Sequence, residues 1–211
     1  MKKPLLFGMA AATLVSLGAQ ANVIDGRIWE NVTTVPPIID LNGSLANAHI
    51  LINGRGADVT FAVNSPINFD TRVGNGTIGN FLDSGGAIIT GGIDPNPAGN
   101  SVQNTLFYFT GQVTVQQGQQ FNVTHDDGLQ LLIGNTMVVN APGPTPPVVT
   151  PYTWNGPSGT YPFELAYAEN SGLPGVLQID LPLANVPDGG SSLAMVSGAL
   201  GLLGLVARRR S

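Results

Sequence analysis

The chain predicts an all-β domain, an antiparallel β-sandwich, set between two apolar ends. Three observations carry this reading. Only 10% of the 211 residues are charged, while glycine and proline number 28 and 16, so turns are frequent and long solvated helices are not expected. Apolar and polar residues alternate with period two over several segments, as in strands with one face in a core. Those segments are rich in β-branched and aromatic residues and are separated by Asn-Gly, Gly-Gly and Pro-containing turn signals. No helical periodicity is read between residues 22 and 185, so helices are expected only at the two ends.

The N-terminal end, residues 1–21, reads as a secretory signal peptide. Lys2 and Lys3 form a positive start and Pro4 to Leu17 is apolar. Ala19-Gln20-Ala21 is a small-x-small site with cleavage expected after Ala21 by signal peptidase.

Residues 22–185 read as one domain, long enough to bury a sizeable core. The stretch from Asn22 to Pro37, with Trp29, is expected as an edge strand or an ordered arm. Ile38–Leu41 and Ala48–Asn53 are short strand candidates around the Asn42-Gly43 turn. Asp58–Val63 alternates cleanly, with Val59, Phe61 and Val63 on one face. Thr77–Phe81 and Ala87–Thr90 are short strands among turns. From Thr105 the pattern sharpens: Phe107, Phe109, Gly111, Val113 and Val115 share a face. Gln116 to Gln119 is a turn, and Phe121 and Val123 resume the inward row, followed past Asp126-Asp127-Gly128 by Leu129, Leu131 and Ile133. Gly134-Asn135 is a two-residue hairpin turn. The prolines between Pro142 and Pro147 predict a stiff loop continuing to Tyr152 and Trp154. Tyr161, Phe163, Leu165 and Tyr167 form one row, and Leu177, Ile179 and Leu181 another.

Charge narrows the function. Residues 22–185 carry three arginines and no lysine against twelve carboxylates, a formal −9. Such a surface repels phosphate polymers, so nucleic acid is not an expected partner. The absence of cysteine excludes disulfides, thiol catalysis and thiolate metal sites.

The C-terminal end, residues 186–211, has three parts: Val186-Pro187-Asp188-Gly189-Gly190-Ser191-Ser192, an uncharged apolar run at 193–207 expected to be helical, and the cluster Arg208, Arg209 and Arg210. The arginines resist translocation and stay cytoplasmic. The run of 15 residues is shorter than the roughly 20 that a permanent span needs. This arrangement resembles the C-terminal sorting signal of exosortase-dependent (PEP-CTERM-type) proteins, in the variant whose motif is Val-Pro-Asp. The resemblance implies a transient inner-membrane anchor, exosortase as a processing partner, and a final place in the cell envelope or extracellular matrix of a Gram-negative-type bacterium.

Within the domain, the stretch from Phe121 through His125-Asp126-Asp127-Gly128 to Gly134-Asn135, followed by Gly159-Thr160-Tyr161 and the loop Tyr167-Ala168-Glu169-Asn170-Ser171-Gly172, resembles PA14-type domains and their fibro-slime relatives over residues 105–183. The resemblance implies a jelly-roll β-sandwich of the kind found in adhesins, glycosidases and toxins, often as a carbohydrate-binding module. In its lectin-like members two consecutive aspartates ligate calcium, which holds sugar hydroxyls. The matching residues are Asp126 and Asp127. Calcium takes roughly six to eight oxygen ligands, so a second loop must contribute. Asn170, with Glu169 beside it, is the candidate, and Gly128 is expected to permit the sharp turn between the carboxylates. The same Asp-Asp-Gly also suits an ordinary strand-end turn in which the aspartates accept from backbone N–H groups.

Other residues point less far. Trp154 could stack on a sugar ring or plug the sandwich end. His125 and Asp126, adjacent on a strand, face opposite sides, which disfavours a catalytic pair. His49, in a strand-like run, is read as an ordinary polar or half-buried residue. Glu164 is expected on an outward face, so it makes no glycosidase pair with Glu169. No catalytic residue is assigned. The expected function is a non-enzymatic adhesive or scaffolding domain of the envelope, with a calcium-dependent carbohydrate-binding module as the alternative and extracellular polysaccharide as the partner. A glycan-acting enzyme is the third reading.

Overall fold

Two antiparallel sheets enclose an aromatic core in the computed structural model, which describes residues 23–32 and 41–184. The signal segment with Ala19 and Ala21, the Pro36-Pro37 step and the tail with Val186, Pro187, Asp188 and Arg208 to Arg210 lie outside the described residues.

In chain order the elements are β1 (Val23–Trp29), α1 (Leu45–Gly54), β2 (Val59–Asn64), β3 (Ile67–Asp70), α2 (Ile78–Ser84), β4 (Ile88–Gly91), β5 (Thr105–Val115), β6 (Gln120–Asp126), β7 (Gly128–Ile133), β8 (Thr136–Ala141), β9 (Val148–Thr153), β10 (Gly159–Glu169), β11 (Val176–Ile179) and β12 (Leu183–Ala184). The larger sheet runs β4-β2-β1-β5-β10-β7-β8, with β12 beside β5; the smaller runs β3-β11-β6-β9. The alternation expected along β5, β6, β7, β10 and β11 is the alternation found: Phe107, Phe109, Val113, Val123, Leu131, Phe163, Leu165 and Ile179 all face the core. Phe61, Phe69, Phe81, Phe107, Phe109 and Tyr167 interlock there, with Phe69 stacked on Phe81 at 4.7 Å between ring centroids. The hairpin turn at Gly134-Asn135 stands where expected, with Gly134 at φ 57°.

Four expectations are overturned. First, β1 is no edge strand: it pairs with β2 on one side and β5 on the other. Second, Ala48–Asn53 lies inside the helix α1, and third, the segment from Thr77 to Phe81 caps and opens the helix α2. Each helix starts at a hydroxyl cap, Ser44 accepting from Asn47 N and Thr77 from Asn80 N, both at 3.2 Å. Fourth, the loop expected after the prolines contains β9, which pairs only with β6 and carries Pro151 at the sheet edge, where a missing N–H costs little.

Helix α1 explains the buried outer face of the large sheet. Leu45, Ala48 and Leu51 cover Trp29, Leu106, Tyr108, Ala166 and Ala168, forming a second apolar cluster. Strands β5 and β10 are therefore buried on both faces at their paired ends, Thr105–Phe109 against Leu165–Glu169. Among the described residues no helix is long and apolar enough to cross a membrane.

Candidate functional site

The inward rows of the large sheet end in polar residues at one rim. The last apolar rung crosses four strands: Ile28 pairs with Phe107, Phe107 with Tyr167, and Tyr167 with Leu129. Because side chains repeat every second residue, the next inward positions are Glu30, Thr105, Glu169 and Asp127. All four are buried.

Three carboxylates converge at one end of this rung. Asp126, Asp127 and Glu169 each place an oxygen within 4.8 Å of the other two. Strand β6 delivers Asp126, the link to β7 delivers Asp127, and the end of β10 delivers Glu169. The Asp126–Asp127 peptide bond is cis. Backbone donors orient two of the groups. Asp127 Oδ1 accepts from Thr145 N at 3.1 Å and Oδ2 from Asn170 N at 2.8 Å. Glu169 Oε1 accepts from Ser171 N at 3.1 Å and Gly172 N at 2.8 Å. The Tyr167 hydroxyl reaches the Asp126 carbonyl and lies 3.0 Å from Glu169 Oε2.

Two buried oxygens remain without a partner: Asp126 Oδ2 and Asn170 Oδ1. No arginine or lysine among the described residues hydrogen-bonds these carboxylates. Burial pushes the Glu169 carboxyl up to about 8, and burial with the neighbouring Asp127 charge pushes Asp126 up to about 6. At neutral pH Glu169 therefore holds a proton. His125 is fully buried and its basicity is lowered by burial, so the ring is neutral; its Nδ1 donates to Asp127 O at 2.6 Å.

Such a site suits a hard cation. Buried carboxylates without counter-charge are costly. Oxygen-only donors, two of them orphaned, are what a calcium ion accepts. Asp126, Asp127, Glu169 and Asn170 are the residues that would hold it.

Gly128 has a different role from the one expected. Its backbone lies outside the positive-φ residues, but an added Cβ would lie 1.9 Å from Pro142 O. Pro142 O also accepts from Gly43 N at 2.9 Å, and a Cβ on Gly43 would lie 2.0 Å from Gly128 O. The glycines let three backbone segments stack beside the acids.

The remaining candidates lie elsewhere. Trp154 is 3% exposed, donates from Nε1 to Pro157 O at 2.9 Å and packs on Tyr161 at 5.2 Å. Its backbone bonds Gly118 and Gln119 in the turn that follows β5, at the opposite end of the β5–β10 pair from the acids. Trp154 thus plugs the sandwich end, and its covered ring offers no open face to a sugar. Glu164 points to the outer face of β10, where Oε2 meets His49 Nε2 at 2.6 Å and accepts from Tyr108 at 3.0 Å. His49 is an exposed polar residue on α1, not on a strand. Glu164 and Glu169 are on opposite faces of β10 and do not form a pair. In the sequence Glu169 stands beside Asn170 and is weighed against Glu164 but is not made a ligand; its place at the end of the Phe163-Leu165-Tyr167 row is the signal that marks it.

No family model matches the sequence, and no curated protein matches it. Solved structures do. A PA14 sugar-binding domain from an RTX adhesin is 21% identical, with a TM-score of 0.51, over 76% of this chain and 88% of that one. The PA14 domain of the MpAFP antifreeze protein is 16% identical, with a TM-score of 0.55, over 86% of this chain and 98% of that one. The chain has the β-sandwich fold of PA14 domains.

Proposed function

We propose that the chain is a non-enzymatic, calcium-dependent adhesive domain that binds carbohydrate at the rim holding Asp126, Asp127, Glu169 and Asn170. The observation that carries this reading is the pair of buried, unpartnered oxygens, Asp126 Oδ2 and Asn170 Oδ1, beside two further carboxylates. The backbone donors at Thr145 and Asn170 fix the Asp127 carboxylate before any ion arrives. A bound calcium ion would supply positive charge and open coordination positions for vicinal hydroxyls. The likeness to a structure described as a sugar-binding PA14 domain from an adhesin supports the same direction.

The proposal extends to location. Residues 1–21 direct export, and the tail from Val186 holds the chain transiently at the inner membrane until an exosortase cleaves near Val186–Asp188. Residues 22–185 are then the mature domain, in the envelope or bound to extracellular polysaccharide.

Two experiments test these parts separately. A glycan array probed with the calcium-loaded and the chelated protein should show binding that requires calcium and is lost in Asp127→Ala; calcium-independent or absent binding contradicts the lectin reading. Deleting residues 193–211 should release unprocessed protein into the medium; an unchanged envelope fraction contradicts the sorting reading.

A further inference from the structure

A second acidic cluster stands on the same rim, on the far side of β5 from the first. The inward row of β1, Ile24-Gly26-Ile28, continues to Glu30, which is 8% exposed. Two connections bring partners to it: the α1–β2 link supplies Arg55 and Asp58, and the β4–β5 connection supplies Asp94 and Asn100. Asn100 Nδ2 donates to both Glu30 Oε2 at 2.8 Å and Asp94 Oδ2 at 2.7 Å. Asp58 Oδ2 accepts from Glu30 N at 2.7 Å.

The single cation here is engaged at its two terminal nitrogens, while its buried Nε has no partner. Arg55 Nη1 pairs with Asp58 Oδ1 at 2.6 Å and Nη2 donates to Glu30 O at 3.1 Å. The Glu30 and Asp94 carboxylates share the Asn100 amide, and Asp94 Oδ1 also accepts from Asn96 N at 2.7 Å. Glu30 Oε1 is buried and has no partner at all. These residues, with Asn31, line a cleft of about 350 Å³.

We infer that this cleft is a second divalent-cation site, of calcium type, in which Glu30 Oε1 and Asp94 supply carboxylate oxygens and Asp58 adds to the negative field. The chemistry is that of a hard-oxygen site: acidic, cysteine- and histidine-free, and lined by groups from three separate segments. Burial raises the Glu30 carboxyl above its ordinary range, and the Asp94 and Asp58 charges add to this, against the Asn100 hydrogen bond and the Arg55 charge. An ion would remove that repulsion and tie the end of β1 to the α1–β2 link and the β4–β5 connection. Glu30 and Glu169 flank β5, so the two ions would sit roughly two strand spacings, about 10 Å, apart on one rim. This inference stands on Glu30 and Asp94 alone and does not need the Asp127 site to be correct.

The test is calcium stoichiometry by equilibrium dialysis of the full chain, with terbium luminescence as a local readout. Trp29 sensitises terbium at the Glu30 cleft, because its Nε1 donates to Arg55 O at 3.4 Å, whereas Trp154 lies at the other end of the sandwich. Wild type should take up two calcium ions, Glu30→Gln one and Asp127→Asn one. Indole-sensitised terbium emission should vanish in Glu30→Gln and persist in Asp127→Asn. Asp94→Asn, on the open side of the cleft, repeats the test should Glu30→Gln melt abnormally in chelator. Equal calcium uptake by wild type and both cleft variants, with unchanged terbium emission, overturns the inference. A single ion lost only in Glu30→Gln and Asp94→Asn would keep it and overturn the Asp127 site instead.

Discussion

Asn170 donates its backbone N–H to Asp127 Oδ2 at 2.8 Å while its own side-chain oxygen stays buried and unpaired. The main chain thus positions one ligand, and the side chain presents another to the same place. The two contributions can be separated by mutation.

Asn170→Ala keeps the backbone bond to Asp127 and removes the orphaned oxygen. In chelator the variant should be as stable as wild type or up to about 1 kcal/mol more stable, because an unsatisfied buried polar group is lost. Its calcium-induced rise in melting temperature should shrink. Paired thermal melts with and without calcium measure both effects; a full-sized calcium shift in the variant would remove Asn170 from the ligand set.

The ion-free protein should lose stability as pH rises. Glu169 and Asp126 both bind protons more tightly when folded, at about 8 and about 6, than the ordinary values of 4.5 and 3.8. Stability from these groups is fully present below the unfolded values and is lost as pH climbs through the folded ones. Chelated protein should therefore melt lower at about pH 9 than at about pH 5. Saturating calcium should flatten or reverse the slope, since the ion needs the deprotonated carboxylates. A pH-independent melt in chelator would contradict the buried-proton account.

Tyr167→Phe deletes the hydroxyl that joins Asp126 O to Glu169 Oε2. Both partner groups are buried, so the expected cost is about 1–3 kcal/mol in urea unfolding. A cost near zero would mean that solvent takes the place of the hydroxyl.

Gly128→Ala should cost about 3 kcal/mol, because its methyl would meet Pro142 O at 1.9 Å, backbone that cannot swing aside. Gly54→Ala is the control. Nothing lies within 4 Å of the added Cβ there, so at the helix end it should be neutral or stabilising by up to about 1 kcal/mol. Equal urea midpoints for the two variants would disprove the stacked-backbone reading of Gly128.

The strand segments with one wet face were legible because alternation is a direct record of burial: Val113, Val115, Phe121 and Val123 read correctly without any structure. The helices were not. In α1, the β-branched Ile50 and Ile52 imitate a strand, and the helix is needed only because Tyr108, Leu106 and Ala166 on the sheet require cover, a tertiary demand that no local window carries. The Ser44 and Thr77 caps were the local signals available. For the site, resemblance marked Asp126 and Asp127, and the need for a second loop marked Asn170, whose backbone the structure places against Asp127; nothing in the sequence marked Glu30. Its row ends opposite that of Glu169 only through the register of β1 on β5 and β5 on β10, which is a property of pairing across more than a hundred residues.

The most direct measurement of the central claim is calorimetric titration of calcium into the chelator-treated full chain and into Asp127→Asn. The account predicts calcium binding accompanied by proton release near neutral pH in the wild type, with the component due to Asp126, Asp127, Glu169 and Asn170 abolished in the variant. Absence of binding at about 1 mM calcium, or identical isotherms for the two proteins, would contradict it.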